Sequence, residues 1–158
     1  MAESFRNFNG EVQVTNHNRV IIIPKAGESI NNSQSRSSTD VVQVHSIYIC
    51  QKKTGDKIGG IDRYEPKNFS AFNLGIIYKN ESNQDIIRYI VFDGRVVPGS
   101  PFFIEKNITL ELNQALFIEC PNNSKDYNKE SNTNDVTLNG DGSFYLDYTA
   151  SAVLFGNS

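Results

Sequence analysis

The stretch SFYLDYTASAVLF, residues 143–155, limits the fold more than any other part of this chain. Phe144, Leu146, Tyr148, Ala150, Ala152 and Leu154 take every second position, with Tyr145, Asp147, Thr149 and Ser151 between them until Val153. A period of two held over eleven residues, 144 to 154, describes an extended strand with one side against a core. An amphipathic helix needs apolar positions at i, i+3, i+4 and i+7, and no segment of a dozen residues offers them.

The same grammar recurs along the chain. RVIIIP at 19–24 is β-branched and ends on proline, as a strand exit should. DVVQVHSIYIC at 40–50 is apolar on both faces and reads as a central strand covered on both sides. In AFNLGIIYK at 71–79, Phe72, Leu74, Ile76 and Tyr78 share a face, and DIIRYIVFDG at 85–94 follows the polar turn NESNQ as a hairpin partner. RVVPGSPFFI at 95–104 is broken by Pro98-Gly99. NITLELNQALFIEC at 107–120 alternates through Leu112, breaks at Asn113-Gln114 and then turns apolar, so it reads as two strands, one at a surface and one inside. The expectation is an all-β antiparallel sandwich of about eight or nine strands.

A chain of 158 residues fits one domain, and a domain of that size buries roughly 70% of its unfolded surface. The expected division is a short N-terminal arm over 1–10 and a single sandwich over 11–158, with polar insertions at 25–39, 52–70 and 121–142. Loops of this length are usually functional or mobile.

Composition removes several functions. The net charge is −3 and the longest positive cluster is Lys52-Lys53, so nothing matches the basic stripe that neutralises phosphates, and no nucleic-acid partner is expected. No run approaches the roughly 18 apolar residues of a membrane helix, so no membrane partner is expected. The start, MAESFRNFNGEV, has no signal-peptide core, which points away from export by the usual route. Cys50 and Cys120 each end an apolar stretch. Free thiols are the first reading and a disulfide between strand ends the second.

Motifs for chemistry are missing. His17 lies in a polar turn and His45 in mid-strand, and neither has a carboxylate at a fixed spacing. There is no GxSxG elbow and no HExxH. TGDKIGG at 54–60 lacks the Gly-Lys-Ser/Thr ending of a phosphate loop, and NGDG at 139–142 lacks the glycine and bidentate acid of a calcium loop. No enzyme activity, metal or cofactor is expected. Five Asn-x-Ser/Thr triplets occur among 19 asparagines, a number that chance supplies, so glycosylation is not expected. For a sugar-binding sandwich, the stacking candidates in long loops are Tyr64 and Tyr127, in a chain without tryptophan.

Five pieces, in order, carry a resemblance: SFRNF (4–8), VIIIPKAG (20–27), VVQVHSIYIC (41–50), VVPGSPFFIEKNITLELNQALFIEC (96–120) and SFYLDYTASAVLF (143–155). Together they resemble small accessory structural proteins of tailed bacteriophage virions. The insertions at 52–70 and 121–142, and Asn113, depart from that pattern. The resemblance implies a jelly-roll-like sandwich without catalytic residues. It also implies a protein made in the host cytoplasm and assembled on a head, neck or tail in symmetric copies, with other virion proteins as partners. Under it, Leu110 and Leu112 point inward near a sheet edge, and ALFIEC lies between packed layers. The candidate interface residues are Phe5, Phe8, Phe102 and Phe103, with the arm 1–10 reaching onto a neighbour. The alternative functions are a carbohydrate- or receptor-binding module on the virion and a hydrolytic sandwich using His45.

Overall fold

A computed structural model describes residues 2–14, 19–30, 34–51, 57–58, 61–62, 70–96, 100–119 and 144–156. Its main strands are β1 (Ala2–Val14), β2 (Arg19–Ile23), β3 (Val41–Gln51), β6 (Ser70–Lys79), β7 (Asp85–Val96), β8 (Phe102–Ile104), β9 (Ile108–Leu110), β10 (Ala115–Glu119) and β11 (Phe144–Gly156). A small ribbon pairs β4 (Lys57–Ile58) with β5 (Ile61–Asp62).

Two antiparallel sheets result. The first runs β1-β11-β3-β8, with β9 also on β3, and the second runs β2-β10-β6-β7. The pairing is nested. β1 takes β11, β2 takes β10, β3 takes β8 and β9, and β6 takes β7. Successive pairs alternate between the sheets, so the chain is one long hairpin rolled into two layers, which is the winding of a jelly roll. Its apex is the turn at 80–84. There Asn80 Oδ1 accepts from the amides of Ser82 and Gln84 at 2.9 Å, and Asn83 takes a left-handed φ of 60°, which asparagine tolerates well.

The core lies between the layers. Leu146, Tyr148, Ala150, Ala152 and Leu154 of β11 all enter it, as their alternation predicts. Phe72 and Leu74 join from β6, with Ile76 packed against them. Burying each large apolar side chain contributes about 1.5–3 kcal/mol.

Residues 107–119 change sheets. β9 ends on the edge of the first sheet and β10 begins in the middle of the second, between β2 and β6. All five residues of β10 are buried. The inward pair on β9 is Ile108 and Leu110. Leu112, expected to point inward, sits in the turn and is 44% exposed. The alternation breaks one residue earlier than the apolar spacing suggests, because the chain must leave the first sheet.

Three other expectations change. Within the expected arm, residues 2–10 form most of β1, which pairs residue by residue with β11 from Ala2↔Gly156 to Val14↔Phe144. Phe8, a candidate contact residue, is 0% exposed and belongs to the core. β3 is interior to its sheet but covered on one side only. Val42, Val44, Ile47 and Ile49 face the core, while His45 and Tyr48 are exposed. The strand buried on both faces is β10.

The described parts of the polar stretch, 25–30 and 34–39, are organised around Arg36. Gly27 N donates to Arg36 O at 2.8 Å, Arg36 N to Glu28 O at 3.0 Å, and Ile30 N to Gln34 O at 2.8 Å, which makes a small hairpin. Gly27 holds a φ of 82°, a conformation that favours glycine.

Candidate functional site

Arg36 is the most deeply buried charged side chain described. Its guanidinium makes five hydrogen bonds, all to main-chain carbonyls. Nε donates to Asp40 O at 2.8 Å, Nη1 to Pro24 O at 3.0 Å and Gln114 O at 2.8 Å, and Nη2 to Leu110 O at 2.9 Å and Glu111 O at 2.7 Å. Arginine has five N–H donors, so this use is complete. Burial lowers its pKa, against the opposing pull of Asp40 and Glu111. The side chain joins the hairpin at 25–40 to the turn at 111–114 where the chain changes sheets. With every donor satisfied inside the protein, its role is architectural. The sequence holds no period or motif that marks Arg36, because its partners are backbone atoms.

A second polar cluster lies on the outer face of the β2-β10-β6-β7 sheet. The register places Phe117 beside Ile21 and Gly75, and Gly75 beside Tyr89. Arg19 lies over the Phe117 ring at 4.9 Å, and its Nε is 3.5 Å from Glu119 Oε2. Tyr89 donates its hydroxyl to Glu119 Oε1 at 2.7 Å. That bond to the carboxylate, with burial added, raises the Tyr89 pKa. Tyr89 meets Phe92 edge to face at 5.1 Å, and both rings are exposed. This patch escapes sequence reading because it is assembled from four strands.

The expected site residues are scattered. Phe5 is 88% exposed on β1. Phe102 is half-buried and meets Phe72 edge to face at 5.2 Å, so it packs against the core. Phe103 is 53% exposed and meets Tyr48 at 6.3 Å. Tyr64, Tyr127, His17, Cys120 and the turn at Pro98-Gly99 lie outside the described residues, as do 121–142 and most of 52–70. His45 is the extra residue where β3 bulges opposite Ser151 and Ala152, and its Nδ1 is 3.1 Å from Asn107 Oδ1. Its side-chain partner is therefore an amide. Cys50 is free, and burial followed by nearby Asp147 raises its pKa, which disfavours the reactive thiolate.

Among the described residues, no three His, Cys, Asp or Glu side chains converge as metal ligands would, and no helix is long and apolar enough to cross a membrane. The class defined is an antiparallel jelly-roll sandwich whose described polar clusters brace the fold.

No family model and no curated protein matches the chain. Two solved viral structures are similar in outline. One is a chain of the T13 viral particle of infectious bursal disease virus, IBDV, with 7% identity and a TM-score of 0.48, covering 98% of this chain and 31% of that one. The other is a chain of the infectious bursal disease virus Gx strain, with 9% identity and a TM-score of 0.47, covering 100% of this chain and 34% of that one. The present chain thus spans about a third of the length of those chains. A likeness at this level assigns neither family nor function.

Proposed function

We propose that the protein is a non-enzymatic structural component of a virus particle, of the kind found on tailed-bacteriophage heads, necks or tails. It works in several copies and through contacts with other virion proteins. The observation that carries this reading is the nested winding of β1 to β11 into two layers, a fold used by capsid proteins and lectins. The ordered resemblance of the sequence pieces to tailed-phage accessory proteins supports it, and so does the consumption of Arg36 and Glu119 in bracing bonds. Fold alone does not determine function. Phe5 and Phe103 remain the exposed contact candidates. The test is co-sedimentation of tagged protein with purified particles lacking it, followed by imaging of the label. Protein that stays in the supernatant with every particle fraction contradicts the proposal.

A second reading is a carbohydrate- or receptor-binding module on the same particle. Tyr89 favours it, because an exposed aromatic ring sits beside a carboxylate and a guanidinium. Tyr64 and Tyr127 remain its loop candidates. A glycan array with Tyr64→Ala, Tyr127→Ala and Tyr89→Ala variants tests it, since specific binding lost in any of them favours this reading.

A further inference from the structure

The two lateral seams of the sandwich are built differently. Near β1 and β2, polar groups bridge the layers. Tyr148 on β11 donates to Ile22 O on β2 at 3.4 Å and bonds Gln34 Oε1 at 3.1 Å. Gln34 donates to Asn9 O, and Arg6 donates to Ser35 O. At the opposite seam the edge strands β7 and β8 leave an open groove lined by Ile90, Val91, Phe102, Phe103, Glu105 and Lys106. Aromatic pairs stand on both flanks, Tyr89 with Phe92 on one and Tyr48 with Phe103 on the other. These are four of the six large hydrophobic side chains that the described residues expose, Phe92 being 64% exposed.

An edge strand flanked by exposed apolar side chains is a template for pairing, and the charges indicate the partner. Glu105 and Lys106 are adjacent, exposed and line the groove. Further along β7, Asp85 is paired with Lys79 at 3.0 Å and Asp93 with Arg95 at 3.7 Å. Arg88, over the Tyr78 ring at 5.9 Å, is also exposed on β7, so the seam presents both signs side by side without a strong excess of either. A strongly charged partner would leave one sign opposed. A second copy turned by a twofold axis sets Glu105 against Lys106 and Lys106 against Glu105, the self-complementarity that an isologous contact requires.

We propose that the β7/β8 seam is the contact between two copies of this chain, with Phe92 and Phe103 covered and the Glu105 and Lys106 charges exchanged across the axis. The inference deepens the assembly reading above and rests on it in one respect, that the protein works in multiple copies.

Sedimentation equilibrium of the full chain tests it, with circular dichroism of each variant to verify folding. The unsubstituted protein is expected to form a dimer that dissociates on dilution. Glu105→Lys and Lys106→Glu are each expected to raise the dimer Kd by about tenfold or more. The double variant is expected to return to within about threefold of the starting value, because a swapped pair still matches itself. Phe103→Glu should weaken the dimer and Phe5→Glu, on the other rim, should leave it unchanged. A protein that is monomeric at every concentration overturns the proposal, as does association unaffected by either single swap. In the second case the multiple-copy reading survives through another surface. Binding of monomers to particles would keep the virion assignment and discard this seam.

Discussion

Arg36 Nη2 donates to the carbonyl oxygen of Leu110 at 2.9 Å, joining the polar hairpin to the end of β9 across 74 residues of chain. The carbonyls of Glu111 and Gln114 are held by the same guanidinium. The turn that moves the chain from one sheet to the other is thus capped from within.

Removing that side chain strands buried carbonyls of Pro24 and Leu110. Arg36→Ala is expected to cost about 3–5 kcal/mol, given the penalty for unsatisfied buried polar groups. Arg36→Lys keeps the charge but offers three donors without the planar fork, so it should recover only part of the loss. Urea unfolding measures both. A loss below about 1 kcal/mol for the alanine variant would show that the bonds are incidental.

Phe5 and Phe8 lie on one strand with opposite fates. Phe8→Ala opens a cavity under β1 and is expected to cost about 3–5 kcal/mol. Phe5→Ala removes a ring that is already in water and should stay within about 0.5 kcal/mol in the isolated protein. Equal effects in thermal denaturation would contradict the placement of β1.

Gly75 lets the Phe117 ring lie flat on the sheet. A Cβ there would stand 2.7 Å from Phe117 Cζ and 2.9 Å from the main-chain oxygen of Arg88. The ring can shift, but the carbonyl is part of the β6–β7 ladder. Gly75→Ala is expected to lose about 1–3 kcal/mol through overpacking, even though alanine normally suits a strand better than glycine. A stabilised variant would disprove the close approach.

Alkaline pH should weaken the fold through two tyrosines. Tyr89 is raised by its bond to Glu119, and Tyr148 by burial. Because the neutral phenols are favoured in the folded state, their contribution is fully present below the unfolded value of about 10. It is lost as pH rises through the higher folded values. A phenolate absorbance titration should show late-titrating groups, one fewer in each of Tyr89→Phe and Tyr148→Phe. Ordinary titration of every tyrosine in the folded protein would refute this.

Much of the architecture was legible from side-chain order. The alternation in β11, the hairpin at 80–84 and the apolar β10 each report burial along one strand, and burial repeats with the pleat. The errors fell where a neighbour, rather than the strand itself, decides. Residues 1–10 look like a polar arm because an edge strand needs apolar side chains only where it meets the core, here at Phe8, with Val12 following. The candidate surface was legible in part. Phe103 was named from the sequence, but Tyr89 and Phe92, a ring pair on β7, and the groove between β7 and β8 were not, because the groove forms only where edge strands of different layers meet.

Local sequence therefore determined that this chain makes strands, where most of them begin and end, and which side of most turns inward, β1 and β3 excepted. Tertiary structure alone decided that the strands nest around the 80–84 turn and that Arg36 is buried among carbonyls. It also left one seam bridged by polar groups and the other open. The reason is physical: a side chain's period records its own strand's exposure, whereas a hydrogen bond spanning 74 residues depends on where the whole chain brings its main-chain oxygens.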